Sequence, residues 1–342
     1  MIDALTAENF TVFKKNAFSF SRGLNVLIGE NSTGKSLLLK LNYCFLRALF
    51  ECRRVSGEAR SKSMVLEFEK RLTDVFKPES LGSLIHRGKA TKSNLVFSAN
   101  GGTCSMDLGP NYIDCHGSEI ADEASAPVFI PPKEILSFFQ GFTSLYDLRE
   151  ISIDGTYNDL CLSVNLPELR EKHREKLLML IQELEEAIGG RIIIEEGRVY
   201  FLPKRGKKLE VNLLAEGYRK LGMIALLIRS GGIAAGKTLF WDEPEANLNP
   251  RLISLLAKAL IVLARNGVQL FLATHSLFLT RELVIQESAW KNGGAAPRYF
   301  ALARKGDGVV VSQGDSIDDI EPLALLDADL EQSGRYLDLI GG

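Results

Sequence analysis

Cysteine is scarce in this sequence: five residues in 342, an odd number, with no spacing that matches a disulfide framework or a C-x₂-C metal site. That excludes a disulfide-stapled scaffold and points to free thiols in a reducing cytoplasm. No apolar run reaches the roughly 18 residues that a membrane span needs. The opening residues, MIDALTAENF, lack the charged and then apolar segments of a secretory signal. An excess of either charge is missing too. Forty-one basic against 43 acidic side chains argue against a wholly basic nucleic-acid binder. Internal repeats, low-complexity tracts and long heptad arrays are absent, which excludes solenoids and extended coiled coils. What remains is an ordinary soluble composition, 46% hydrophobic and 25% charged, long enough for one large domain or for a domain with a lobe inserted into it.

What is present is sharply punctuated. Residues 28–39 read IGENSTGKSLLL. The preceding GLNVLI is a short apolar run of the buried-strand type. After Lys35, the apolar residues Leu38, Leu41, Phe45, Ala48 and Leu49 recur at three- and four-residue steps, which predicts a helix. Between them, Gly29 to Ser36 match G-x-x-x-x-G-K-[ST] at every fixed position. Gly29 and Gly34 allow a backbone wrap in which Asn31, Ser32 and Thr33 turn their N–H groups toward phosphate oxygens. The helix N-terminus adds partial positive charge. Lys35 is placed to reach the β- and γ-phosphates, and the Ser36 hydroxyl to meet Mg²⁺. By average composition such a match arises by chance in on the order of one chain of this length in a hundred. The strand-before, helix-after placement lowers that further.

A second segment, TLFWDEPEANLNP (238–250), is an apolar strand ending in Asp242 and Glu243. An aspartate at a strand's C-terminal end suits a magnesium-bound water, and the adjacent Glu243 can polarise an attacking water. A bare acidic pair is ordinarily a solvated turn; the strand before it and the phosphate loop upstream favour the catalytic reading. VQLFLATHS then delivers His275 to the end of another apolar strand, where an imidazole can hydrogen-bond a γ-phosphate or the lytic water.

In that order, the phosphate loop, FWDEPEANLNP and LATHS resemble the ABC-type ATPases, and among them the soluble RecF/SMC and OLD-type branch. The resemblance covers about the first 50 and the last 130 residues and fits the middle poorly. It implies an α/β fold: an ABC-type P-loop ATPase with a central mixed sheet flanked by helices, an N-terminal antiparallel β portion and an inserted helical lobe. It also implies ATP and Mg²⁺ as cofactors, Asp242 as the magnesium-side acid, Glu243 as catalytic base and His275 as switch histidine. Residues 245–249 would face a partner subunit. The family's LSGGQ-like signature, which reaches across a dimer to the partner's γ-phosphate, corresponds to LLAEGYRKL (213–221). Here Ala215 stands where the signature has a hydroxyl, and Glu216 replaces a glycine. Gly217 and a helix N-terminus survive, so Glu216 and Gly217 are carried over as nucleotide-contacting positions. The family's glutamine loop has no match directly after APVFIP: Pro131, Pro132, Lys133 and Glu134 follow, and Gln140 comes several residues late.

The chain reads as a single ABC-type domain over 1–342, with an irregular insertion at 51–126, a helical lobe at 140–230 ending in the signature-like segment, and an acidic segment at 314–342. Within these, 66–76 reads as a helix, and NLVFSA and CSMDLG as short strands. Residues 167–188 give the clearest helix, with Leu177, Ile181, Leu184 and Ile188 on one face and Gly189 ending it. RIIIEEGRVYFLP and RYFALARKGDGVVVSQG read as strand–turn–strand units. Cys104, Cys115, His116 and Cys161 match no zinc spacing. The basic stretches RRVSGEARSK and PKRGKK read as solvated surface, with contact to nucleic-acid phosphates as the alternative. The expected function is an ATP-driven conformational switch, in DNA maintenance or in defence against phage and mobile elements. It would work as a homodimer sandwiching ATP, with no membrane partner. No second catalytic cluster is visible, so the output is expected from a separate effector, a nuclease or toxin-like protein. One alternative is the ATPase subunit of a membrane transporter, opposed by the altered signature and the roughly 200 residues between Lys35 and Asp242. The other is a self-contained ATP-dependent nuclease using the acids scattered over 107–159, which are ordinary in loops.

Overall fold

The computed structural model describes residues 1–118, 125–148, 151–169, 175–288, 295–321 and 324–341. β1 (Ile2–Phe10) and β2 (Phe13–Ser19) form an antiparallel hairpin closed by the Phe10–Phe13 pair, with Thr11 at positive φ in its turn. β3 (Leu24–Gly29) is buried along its whole length and runs into the phosphate loop, from which α1 (Lys35–Glu51) rises. The five apolar residues that predicted α1 are all buried. α2 (Glu58–Phe76) packs on α1. β4 (Ser93–Ala99), β5 (Gly102–Leu108) and β6 (Ile113–Ser118) then return to the hairpin, giving an antiparallel sheet in the order β2-β1-β4-β5-β6. Residues 51–126 thus contribute three of that sheet's five strands. Alternation drives the pairing: Leu95, Phe97 and Ala99 point into the core while their neighbours are half-exposed. Residues 119–124 lie outside the described residues.

β7 (Val128–Ile130) leads to α3 (Phe142–Leu148), α4 (Gly155–Val164) and α5 (Glu175–Ile188). The sequence predicts a helix from 167. Residues 167–169 are not helical; Leu169 instead donates its N–H to the Arg229 carbonyl at 2.9 Å. Residues 170–174 lie outside the described ones, and α5 buries Leu177, Ile181, Leu184 and Ile188 and stops at Gly189, φ +77°. That left-handed residue is what glycine permits at a helix end. β8 (Gly190–Glu195), β9 (Arg198–Pro203) and β10 (Leu209–Glu210) make a small antiparallel sheet ahead of α6 (Glu216–Arg229). The rest is β11 (Thr238–Asp242), α7 (Pro250–Arg265), β12 (Gln269–Thr274), α8 (Leu277–Ser288), the hairpin of β13 (Arg298–Lys305) and β14 (Gly308–Gly314), and α9 (Ala324–Gly341).

The central sheet has the order β14-β13-β3-β12-β11-β7 and is parallel except for β14. Successive residues of its strands feed two different cores. Leu27, Phe129, Phe240, Phe271 and Phe300 pack toward α1 and the N-terminal sheet. Val26, Ile130, Trp241, Leu272 and Tyr299 pack toward the helices of the other side. Burial on both faces is why these strands read as continuous apolar runs. The architecture is the expected α/β one: a mixed central sheet flanked by helices, an N-terminal antiparallel portion and a helical lobe. Its consequence for function lies in the register. Thr274 pairs with Ile28 and Asp242 with Ala273, so the C-terminal ends of β3, β12 and β11 emerge side by side at one edge, where open parallel sheets bind ligands.

Candidate nucleotide site

The phosphate loop is built around two glycines that nothing else could replace. A Cβ on Gly29 would lie 2.4 Å from the Leu302 carbonyl oxygen of the neighbouring strand. Gly34, the N-cap of α1, has φ +93°, and a Cβ there would lie 2.6 Å from Val12 Cγ2 and 2.9 Å from Phe13 Cζ. Ser32 also sits at positive φ, +63°, and the Thr33 hydroxyl donates to the Glu30 carbonyl at 2.9 Å. Lys35 is buried, and its ammonium donates to the carbonyls of Gly29 and Glu30, both at 2.7 Å. Burial lowers its pKa, opposed by Asp242, Glu243 and Glu245. A cleft of about 320 Å³ opens over this loop, walled by residues 31–37, Val12, Glu243 and Arg304.

The acidic side comes from β11 and β12. Asp242 is 4% exposed, and burial pushes its carboxyl up to about 6; a hydrogen bond from Ser36 and the charges of Lys40 and Lys35 pull the other way. The two motifs, far apart in the sequence, therefore meet at one edge of the sheet, where Glu243 lines the cleft over the phosphate loop and Asp242 ends the neighbouring strand. The Ser36 hydroxyl and the Asp242 carboxylate are the oxygen atoms in question. Both are hard oxygen donors of the kind Mg²⁺ takes, and an anion held against its own desolvation is what a cation would relieve. Glu243, at φ +51°, donates its N–H to the Ala273 carbonyl at 2.9 Å, which turns its side chain onto the cleft wall. His275 Nδ1 lies 3.5 Å from Glu243 Oε1. Glu245 is buried; its Oε1 accepts from the Thr274 hydroxyl at 2.6 Å and from the His275 N–H at 3.3 Å. The resemblance assigns Glu245 to a partner-facing loop, whereas its side chain turns inward and fixes the backbone that carries His275.

Glu216 and Gly217 are not in this cleft. They open α6, whose N-cap, Ala215, gives no side-chain cap, and they pack on the turn after β11 of the same chain. Asn247 Nδ2 donates to Glu216 Oε1 at 2.9 Å, a Cβ on Gly217 would lie 2.9 Å from Leu248 Cδ2, and the buried Lys220 ammonium donates to the Ala246 carbonyl at 2.7 Å. Gln140 lines a separate small cavity with Leu136, Tyr200 and Asn212. The loop after β7 carries a buried acid, Glu134. This buried carboxylate accepts from the N–H groups of Leu136 and Ser137 and from Arg219 Nε at 2.7 Å. Sequence reasoning missed Val12, Arg304 and the Glu134–Arg219 pair. Only the adjacency of β13 to β3, and of α6 to the loop after β7, reveals them.

Among the described residues no group of three metal-ligating side chains stands apart as a metal site, and no helix is long and apolar enough to cross a membrane. Solved structures share the fold. The SMC head bound to the C-terminal winged-helix domain of ScpA matches with a TM-score of 0.60 at 13% identity, covering 93% of this chain and 98% of that one. An SMC head domain from Thermotoga maritima matches at 0.50 and 15%, covering 94% and 99%. A Pyrococcus furiosus SMC head with an extended coiled coil, bound to the C-terminal domain of ScpA, matches at 0.52 and 12%, covering 100% and 99%. No curated protein matches the sequence. The family model described as "AAA domain, putative AbiEii toxin, Type IV TA system" matches residues 58–281. With that match over more than half its length, on an ABC-type fold shared with SMC heads, the chain belongs to this AAA domain family.

Proposed function

We propose that this protein is an ATP-binding and ATP-hydrolysing conformational switch, a single ABC-type domain in which the lobe at 140–230 moves with the state of the nucleotide. The observation that carries the reading is the convergence of the two motifs at one edge of one sheet: Glu243 lines the cleft over residues 31–37, and Asp242 ends β11 beside β12 and β3. Residues 29–36 cradle the phosphates through backbone N–H groups and Lys35. Ser36 and Asp242 would hold Mg²⁺, which would supply charge neutralisation for the phosphates. Glu243 accepts a proton from the attacking water. His275, held by Glu245, donates a hydrogen bond to the γ-phosphate and reports its loss. Glu216 and Gly217 serve the site of a second copy, with the helix N-terminus of α6 directed at that copy's γ-phosphate.

Two copies sandwiching ATP, released on hydrolysis, make a binary output. A cytoplasmic partner, nuclease or toxin-like, reads it in defence against phage and mobile elements or in DNA maintenance. The toxin–antitoxin wording of the family description and the ScpA-bound SMC heads support a partner-coupled role. The test is a sizing column with light scattering in Mg-ATP. Glu243→Gln, which keeps binding and loses the base, is expected to accumulate a dimer, while Lys35→Ala stays monomeric. Identical elution of the two variants would refute the sandwich.

A further inference from the structure

We propose that Arg304 and Val12 form the nucleoside end of this site, with the Arg304 guanidinium lying over the face of the base. The inference rests on the nucleotide reading above and extends it to the part of the ligand no motif addresses. A triphosphate lying in the loop has two ends. The acids and His275 come from β11 and β12, on one side of β3. The γ-phosphate end therefore points that way. β13 flanks β3 on the opposite side, pairing Leu302 with Gly29, so Arg304 projects beside the loop on the side away from the acids. There it is the cationic side chain of the cleft wall besides Lys35, and Val12, from the β1–β2 turn, meets the loop at Gly34.

Arg304 is set in place without being consumed. Its Nε approaches the Ser32 carbonyl at 3.4 Å, too long for a strong hydrogen bond, and no carboxylate among the described residues pairs with it. The tip of its hairpin is anchored instead: Asp307 pairs with Lys14 of β2, and His86 Nε2 lies 3.7 Å from the same carboxylate. A planar guanidinium over an aromatic ring, with an aliphatic side chain on the far side, is a standard way to hold a base without reading its edges. Every base offers such a face, so this contact binds ATP and GTP alike.

The experiment is calorimetric titration of wild type, Arg304→Ala and Arg304→Lys with Mg-ATP, Mg-GTP and inorganic magnesium tripolyphosphate. Arg304→Ala is expected to weaken both nucleotides by about 3- to 30-fold, with tripolyphosphate affinity essentially unchanged. Arg304→Lys, which keeps the charge but lacks the planar face, recovers only part of the loss. Arg304 is exposed, and matched thermal melts confirm that the variants fold. Equal weakening of tripolyphosphate and ATP would make Arg304 a phosphate ligand and overturn the proposal, as would unchanged ATP affinity. A wild-type protein that binds neither ATP nor tripolyphosphate would instead remove the nucleotide reading itself.

Discussion

Asp242 is under tension in the folded chain, since burial favours the protonated carboxyl while the proposed role needs the ionised one. Its folded pKa of about 6 lies above the ordinary 3.8, so between those values the folded form binds the extra proton. The stability this confers is present below about pH 4 and lost as pH rises through 6. At neutral pH the charged form is disfavoured by on the order of 3 kcal/mol. Asp242→Asn is therefore expected to raise the melting temperature of the nucleotide-free protein by about 5 °C at pH 7.5, to leave it unchanged at pH 4, and to abolish hydrolysis. Calorimetry and phosphate release check both halves, and equal melting at pH 7.5 would contradict the burial argument. At this scale the site was largely legible: Gly29, Gly34, Lys35, Ser36, Asp242 and Glu243 occupy motif positions whose backbone demands are local. Glu245 was not, because its inward turn depends on Thr274, which reaches it only through the pairing of β11 with β12.

Among the elements, α6 is held to the loop after β7 by one buried ion pair, Glu134 with Arg219, whose side chains are 2% and 13% exposed. Arg219 also donates to the Leu214 carbonyl, so the pair ties that loop to the signature-like segment. Removing one partner strands a buried charge. Arg219→Leu is expected to cost about 3–5 kcal/mol in denaturant unfolding, and Glu134→Leu combined with it to recover much of that loss. Additive losses in the double variant would show that the two residues act independently. On the other side of the site, α1 is joined to α4 by Lys40 to Asp154, the N-cap, at 2.8 Å and by Tyr43 to Asp159 within the helix at 2.6 Å. Helix α1 and strands β3, β11 and β12 could be read from their apolar patterns, and α7 has local end signals as well. Asn249, for example, caps α7 by accepting from the Leu252 N–H at 3.0 Å, with Pro250 at the first helical position. The Glu134–Arg219 pair could not be read, since its halves carry no local pattern.

For the whole molecule, the proposed dimer places Glu216 near a second copy's γ-phosphate, where its carboxylate opposes the closure that the α6 N-terminus favours. Glu216→Gln is expected to shift ATP-dependent dimerisation to about 3- to 10-fold lower protein concentration at low salt, with a smaller shift at high salt. Analytical ultracentrifugation measures this, and an unchanged midpoint would remove Glu216 from the interface. The sequence by itself determined the strand–loop–helix of the glycine-bounded motif, the acid pair at a strand end and the α/β class, because each depends on residues within a turn or two of one another. Tertiary structure alone decided that β4–β6 complete the N-terminal sheet, that Glu245 supports His275, and that Arg304 stands beside the loop. Those facts follow from which strands lie next to one another, a choice set by burial on both faces of the central sheet and written in no single stretch of the chain.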